Sequence, residues 1–333
     1  LYIVCQKVSM NLTLKISISW LFLMSFSIIG LSQQSRLASL FMYNKYDYIP
    51  AYAGLEGSLY ITGNYRSQWQ NLASNPVSQQ VNAHVPLYFL SGAGGIKVQN
   101  HTQGAQRLST MDVSYNYVLQ GSWGLLSAGA KAGLFQYRLD GSELRTPDGN
   151  YIDGNLEHND PRLQEDINTS IGAVYGLSVY FINNFFEGGL SIEQLPSYAT
   201  RLGDGSYEKS ALSRFTGEVP IRLLNGYELR PSVMIQSDLV QTQIDLAATV
   251  SYTGNIFGGL GVRGYSARSL DALMCILGWR FDKQYSLVYS FDIGVSALRS
   301  VHQGTHEIQL NYDLNKKIGG GLPPKIIYNP RYM

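Results

Sequence analysis

Five histidines, His84, His101, His158, His302 and His306, are the first place to look for metal or acid–base chemistry in this 333-residue chain. None stands at a ligand spacing beside carboxylates that a zinc or hydrolase site needs. His302 and His306 lie four apart, but Gly304 between them argues for a turn, not the helix face which that spacing requires. No serine stands in a nucleophile setting beside a base, which leaves out the acyl-transfer and phospholipase classes. The Gly92–Gly95 and Gly258–Gly261 stretches precede no helix, so they read as turns and strand kinks and not as phosphate loops. What remains is a set of acids, Asp112, Asp245, Asp292 and Glu307, and of bases, Lys131, Arg222 and Arg280, all falling on one parity of alternating segments. Such groups are expected to pair across a wet interior. No catalytic residue, cofactor or metal site is assigned.

The elements that would position these charges repeat with a period of two. In Gln243–Tyr252 the residues Ile244, Leu246, Ala248, Val250 and Tyr252 share one face, and Gln243, Asp245, Thr249 and Ser251 the other. Period two is the signature of a strand, whose successive side chains point to opposite faces. About fourteen such segments follow, over 58–67, 79–90, 94–102, 106–119, 122–138, 166–181, 185–195, 209–223, 226–237, 241–253, 256–267, 270–281, 284–297 and 304–315. Short turns such as Gln120-Gly121-Ser122 and Thr253-Gly254-Asn255 alternate with connections that are mostly longer, the longest over 139–165 and another over 196–208. In the segments 273–281, 285–295 and 307–314 charge sits on the face opposite the apolar residues, and aromatics recur near segment ends (Tyr60, Trp69, Trp123, Tyr227, Trp279 and Tyr285). These features predict an all-β transmembrane antiparallel barrel over 58–315, with short turns on the periplasmic side and longer loops outside.

Residues Met10 to Ser32 read as a secretory signal peptide, with Lys15 ahead of the apolar run Ile16–Ile29 and small residues before Gln33; the alternative is a retained N-terminal anchor. Met10 is the expected start, and residues 1–9 have no assigned role. Only 15% of residues are charged, while Gly (34) and Tyr (24) are abundant, which suits a barrel in which polar residues alternate with apolar ones. The net charge of +1 gives no electrostatic case for nucleic acid. With Cys5 upstream of the expected cleavage, Cys275 is alone in the mature chain, on the lipid-facing parity.

Between signal and barrel, residues 33–57 are aromatic and not strand-like, and read as a short helical or irregular periplasmic segment ending at Pro50 that plugs the mouth or docks a partner. Here the chain resembles the PorP/SprF family of type IX secretion system membrane proteins of Bacteroidetes. The resemblance rests on Phe41-Met42-Tyr43-Asn44, Pro50-Ala51-Tyr52-Ala53-Gly54, Arg66-Ser67-Gln68-Trp69, Tyr289-Ser290-Phe291-Asp292, Gly304-Thr305-His306-Glu307-Ile308 and the terminal Asn329-Pro330-Arg331-Tyr332. Ile49 stands where the family usually has Asn, and Thr305 where Ser is commoner. The resemblance implies a non-enzymatic barrel of the bacterial outer membrane, in contact with its lipid, with the type IX translocon and with periplasmic ring or peptidoglycan-linked subunits. It implies support for secretion or surface attachment of cargo bearing a C-terminal sorting domain, such as a large gliding adhesin. The alternative function is a passive channel for small solutes. Candidate family-motif or docking residues are Pro50, Ala51, Tyr52, Ala53, Gly54, Arg66, Trp69, Gly304, His306 and Glu307. Residues 316–333 are expected to form a periplasmic tail.

Overall fold

Alternating sequences can satisfy their backbone groups in a bilayer only by closing edge to edge. In the computed structural model, which describes residues 36–151, 157–160, 165–195, 199–202, 205–208, 210–238, 240–264 and 270–316, that closure is complete. Fourteen antiparallel strands form the barrel. They are β1 (Tyr60–Ser67), β2 (Val77–Leu87), β3 (Gly92–Gln103), β4 (Gln106–Gly121), β5 (Gly124–Asp140), β6 (Ile167–Ile182), β7 (Glu187–Glu193), β8 (Leu212–Glu218), β9 (Tyr227–Ser237), β10 (Thr242–Tyr252), β11 (Ile256–Arg263), β12 (Ala272–Arg280), β13 (Tyr285–Gly294) and β14 (Thr305–Asp313). Each pairs with its chain neighbours, and β1 pairs with β14, from Tyr60 opposite Asp313 to Ser67 opposite His306. The proposed signal peptide, and all but the start of the proposed tail, lie outside the described residues.

The strand order and number follow the period-two reading, and the ends shift for local reasons. The segment expected to run to residue 90 stops at Leu87, where Tyr88–Leu90 coil into a 3-10 turn. The segment expected over 209–223 breaks after Glu218, because Pro220 has no N–H for the ladder; pairing with β9 resumes at Ile221–Arg222. Within the connection between β7 and β8, Ala199–Leu202 and Gly205–Glu208 form a small separate hairpin.

Inward and outward faces separate as the alternation requires. On β10 Asp245, Ala247 and Thr249 are buried while Leu246, Ala248 and Val250 are exposed. Exposed apolar side chains clothe the outside, from Val81 through Leu134 and Leu177 to Leu260 and Leu310. Trp123, Tyr227, Trp279 and Tyr285 are exposed near the short-turn end, where an interfacial girdle belongs. Tyr60 does not join them: it stacks on inward-facing His84, with centroids 5.5 Å apart. Trp69 lies in the β1–β2 connection, its ring 6.3 Å from that of His302. Cys275 is half-buried, on the outward parity of β12.

Candidate functional site

The interior is occupied by residues 36–57 of the same chain. Three short turns carry it: Phe41–Tyr43 (3-10), Lys45–Tyr48 (α) and Pro50–Tyr52 (3-10), the last with proline at its start, where a missing N–H costs nothing. The segment runs inside the barrel and not beneath it, and Pro50 opens a turn where an end was expected. Its Leu40, Phe41, Tyr46, Tyr48, Ile49, Ala51 and Ala53 are buried against Ala93, Tyr180, Met234, Ala247, Phe257, Ile276 and Val288 from the wall.

Irregular backbone at membrane depth survives only if every polar group finds a partner. Inward side chains of the strands supply them. Asn116 Nδ2 donates to the carbonyls of Ala51 (2.7 Å) and Ala53 (2.9 Å), Ser191 Oγ to that of Tyr48 (2.7 Å), Lys97 Nζ to that of Asp47 (3.0 Å) and Gln309 Nε2 to that of Tyr43 (3.1 Å). The Ala51 N–H donates to Ser178 Oγ at 2.9 Å and the Gly54 N–H to His84 Nδ1 at 3.0 Å. Gly54 has φ +70°, and a Cβ there would sit 2.3 Å from that of Ala93. Glycine is therefore demanded twice, by conformation and by space.

At the opposite end, near the long connections, a buried ionic cluster holds Ser39. Arg66 on β1 reaches Glu307 on β14 (Nη1–Oε2 2.8 Å) and Asp292 on β13 (Nη2–Oδ2 2.9 Å). Arg263 on β11 reaches the same Asp292 oxygen at 3.0 Å and Asp245 on β10 at 3.4 Å. Ser39 Oγ donates to Asp292 (2.6 Å) and accepts from Arg66 (2.8 Å) and Arg263 (3.0 Å), while its amide donates to Glu307 at 2.7 Å. Three carboxylates face two guanidinium groups, so one negative charge is in excess. The Ser39 amide, Asn64 and Gln243 offset it with neutral donors. The inner segment thus completes the wall's charge pattern instead of merely filling space.

A second charged set lies around Asp47, which pairs with Arg36 and with Lys97 (3.3 Å). Burial acts to raise the Asp47 pKa, but Arg36, Lys97 and Arg214 outweigh it and hold the carboxyl below its usual range. Asp112 and Glu193 share Lys131 at 3.2 and 3.0 Å. Lys45 bridges Glu187 (2.9 Å) and Glu218 (3.3 Å) closer to the short-turn mouth. Beside it a cavity of about 520 Å³ is lined by Tyr43, Lys45, Tyr52, Glu56, Arg230 and Arg280, among others.

The sequence-derived candidates fall into three places. Arg66, Trp69, Gly304 and Glu307 gather at the long-connection rim, where the Trp69 amide donates to Thr305 Oγ1 at 3.2 Å and the Gln70 amide to the Gly304 carbonyl at 2.9 Å. Pro50, Ala51, Tyr52, Ala53 and Gly54 lie together within the wall toward the short turns, with Tyr52 Oη donating to Glu56 at 2.6 Å. His306 stands apart on the outward face, 2.6 Å from the Tyr289 hydroxyl. The expected acid partners are corrected in part. Lys131 does meet Asp112, which Lys97 also reaches at 3.6 Å, but Arg66 and Arg263, not Arg222 and Arg280, hold Asp245, Asp292 and Glu307. The missed participants are Ser39, Arg36, Asp47, Asn116 and Arg263; of these Arg263 carried a signal, being inward by parity at the end of its strand.

The family "Type IX secretion system membrane protein PorP/SprF" matches residues 30–312. No curated protein matches the chain. Similar solved structures include CdiB from Acinetobacter baumannii, with TM-score 0.47 and 10% identity over 77% of this chain; the chain spans 60% of the length of CdiB. They also include the Acinetobacter baumannii outer membrane protein Omp33 (TM-score 0.45, 9% identity, 78% of this chain and 99% of that one) and the CymD monoaromatic hydrocarbon channel (TM-score 0.46, 9% identity, 87% and 96%). With the family match running over residues 30–312 and a closed barrel to carry it, the chain belongs to the PorP/SprF family of type IX secretion system membrane proteins.

Proposed function

We propose that this outer-membrane component of type IX secretion works as a scaffold that retains exported cargo at the cell surface, with no reaction of its own. The cargo is a protein with a C-terminal sorting domain, such as a large gliding adhesin, and it docks on the long connections 139–165 and 196–208. The short-turn mouth and the tail from residue 316 face the translocon and the periplasmic ring or peptidoglycan-linked subunits. The observation that carries this reading is the inner segment: Ser39 shares Arg66, Arg263, Asp292 and Glu307 with the wall, so the lumen is built to hold a chain. Every acid of that cluster is engaged by a guanidinium, which leaves none poised as a general acid or base. Pro50 to Gly54, Arg66, Trp69, Gly304 and Glu307 seat the segment, and His306 meets lipid or a neighbouring protein on the outer face. Export to this membrane uses residues 10–32 as a cleaved signal, which N-terminal sequencing of the mature protein checks at Gln33. Deleting the gene tests the main reading: sorting-domain proteins lost from the surface support it, and all of them still correctly attached refute it.

The cavity of about 520 Å³ near the short turns favours a second reading, passage or storage of a small solute. Planar-bilayer recording separates the two. A steady large conductance supports a pore; silence supports the filled scaffold.

A further inference from the structure

Among the described residues of the barrel strands, the outward parity carries charge only at Arg107 on β4 and at Arg138 and Asp140 on β5. Arg107 lies directly opposite Arg138 in the ladder. Like charges facing each other on one sheet face repel and destabilise the pair unless something neutralises them. Arg138 reaches Asp140 at 3.6 Å, and both side chains are partly exposed; Arg107 is exposed and has no ion pair among the described residues. One unit of positive charge is left without an opposite charge among the described residues.

The depth of this pair says where the answer lies. Outward rows run across the sheet in register. The row Val81, Val98, Met111, Leu134 and Ala173 is apolar and belongs to the lipid band. The next row toward the long connections is Gln79, Asn100, Ser109, Gln136 and Ile171; the one above it is Val77, Thr102, Arg107, Arg138 and Thr169. Each row climbs about 5 Å along the membrane normal for a strand tilted by about 40°. The two guanidinium groups therefore stand in the headgroup layer, one row above Ile171 and one below the row of Asp140 and Ile167, with the Asn100 and Gln136 amides beneath them as neutral donors. We propose that Arg107 and Arg138 bind the phosphate of an outer-leaflet lipid headgroup, whose acyl chains then lie along Val98, Met111, Leu134 and Ile171. Planar guanidinium forks suit phosphate oxygens, and the site sits where a lipid, already held by its tails, presents them. The assignment to the outer leaflet rests on the long connections facing outward.

The test uses the full-length protein in phosphatidylcholine nanodiscs doped, in both leaflets, with either diphosphorylated or dephosphorylated lipid A, so that its result does not depend on orientation. Lipid retained through exchange into detergent is counted by native mass spectrometry. The wild type is expected to retain the phosphorylated lipid at least about tenfold better than R107Q/R138Q, and no better than that variant when the phosphates are absent. R107Q alone, which removes the repulsion and should fold at least as well, is expected to lose part of the retention. Equal retention by wild type and double variant overturns the site. So does full displacement of the lipid by equimolar inorganic phosphate, which would make the pair a free-anion site.

Discussion

The two ends of the inner segment are held by different physics. At the long-connection end Ser39 is fixed by Arg66, Arg263, Asp292 and Glu307, all buried charges. Toward the short turns Ala51, Ala53 and Gly54 are fixed by Asn116, Ser178 and His84 through single hydrogen bonds and by close packing. A buried ion cluster gains little over an apolar replacement, because desolvation takes back most of its Coulomb energy; removing one member is another matter, since the rest are left unpaired. The charged end therefore sets position, all or nothing, while the neutral end adds modest and separable increments.

The largest effect should come from Arg66→Met. It strands Glu307 in a buried site and leaves Arg263 alone to answer both Asp292 and Asp245, and a loss of about 3–5 kcal/mol in urea unfolding of the barrel in detergent is expected. Arg66→Lys sharpens the comparison: one ammonium cannot span Glu307, Asp292 and Ser39 as the fork does, so most of the loss should persist. A Lys variant as stable as the wild type would reduce the cluster to simple charge balance. At the other end Gly54→Val puts a branched side chain at φ +70° where even a Cβ meets Ala93 at 2.3 Å. About 2–4 kcal/mol from strain and overpacking is expected, read by the same unfolding curve.

How far each end was legible follows from the same contrast. The barrel was written in parity, and parity also gave the side of the groups named from it: Asp245, Asp292 and Glu307 inward, His306 outward. It did not give depth. Arg222 and Arg280 share the inward face with the acids but lie at the short-turn ends of their strands, whereas Arg66 stands directly opposite Glu307 in the ladder. Pairing across β1 and β14 joins residues 241 apart in the chain, which no local pattern encodes. The Pro50 to Gly54 string was visible as a motif because its reasons are local, a proline-started turn and a left-handed glycine. Ser39 carried no signal, since its role exists only once four strands surround it.

Asn116→Ala tests the neutral end in small steps. It removes the donor to the Ala51 and Ala53 carbonyls, and a loss of about 1–3 kcal/mol is expected, with protease sensitivity rising around Pro50 before global unfolding. An unchanged protein would mean that water replaces the amide and that packing alone seats the turn.

Acid should act still more gently where Asp47 is concerned. Asp47 has its pKa depressed in the folded state, so its pairing with Arg36 and Lys97 contributes stability that is fully present above the unfolded carboxylate value of about 3.9 and is lost as pH falls through the lower folded value. Between pH 7 and 5 the unfolding midpoint should therefore lose nothing on account of this group. Below about 4 it should begin to fall, and Asp47→Asn, already uncharged, should show a shallower decline over the same window. The hydrogen bonds of Asn116 and Ser178 carry no titrating partner, so the difference between Asn116→Ala and wild type should stay constant throughout. If that difference shrinks with acid as the Asp47 contribution does, the two anchorages are one cooperative unit and the division between charged and neutral ends is wrong.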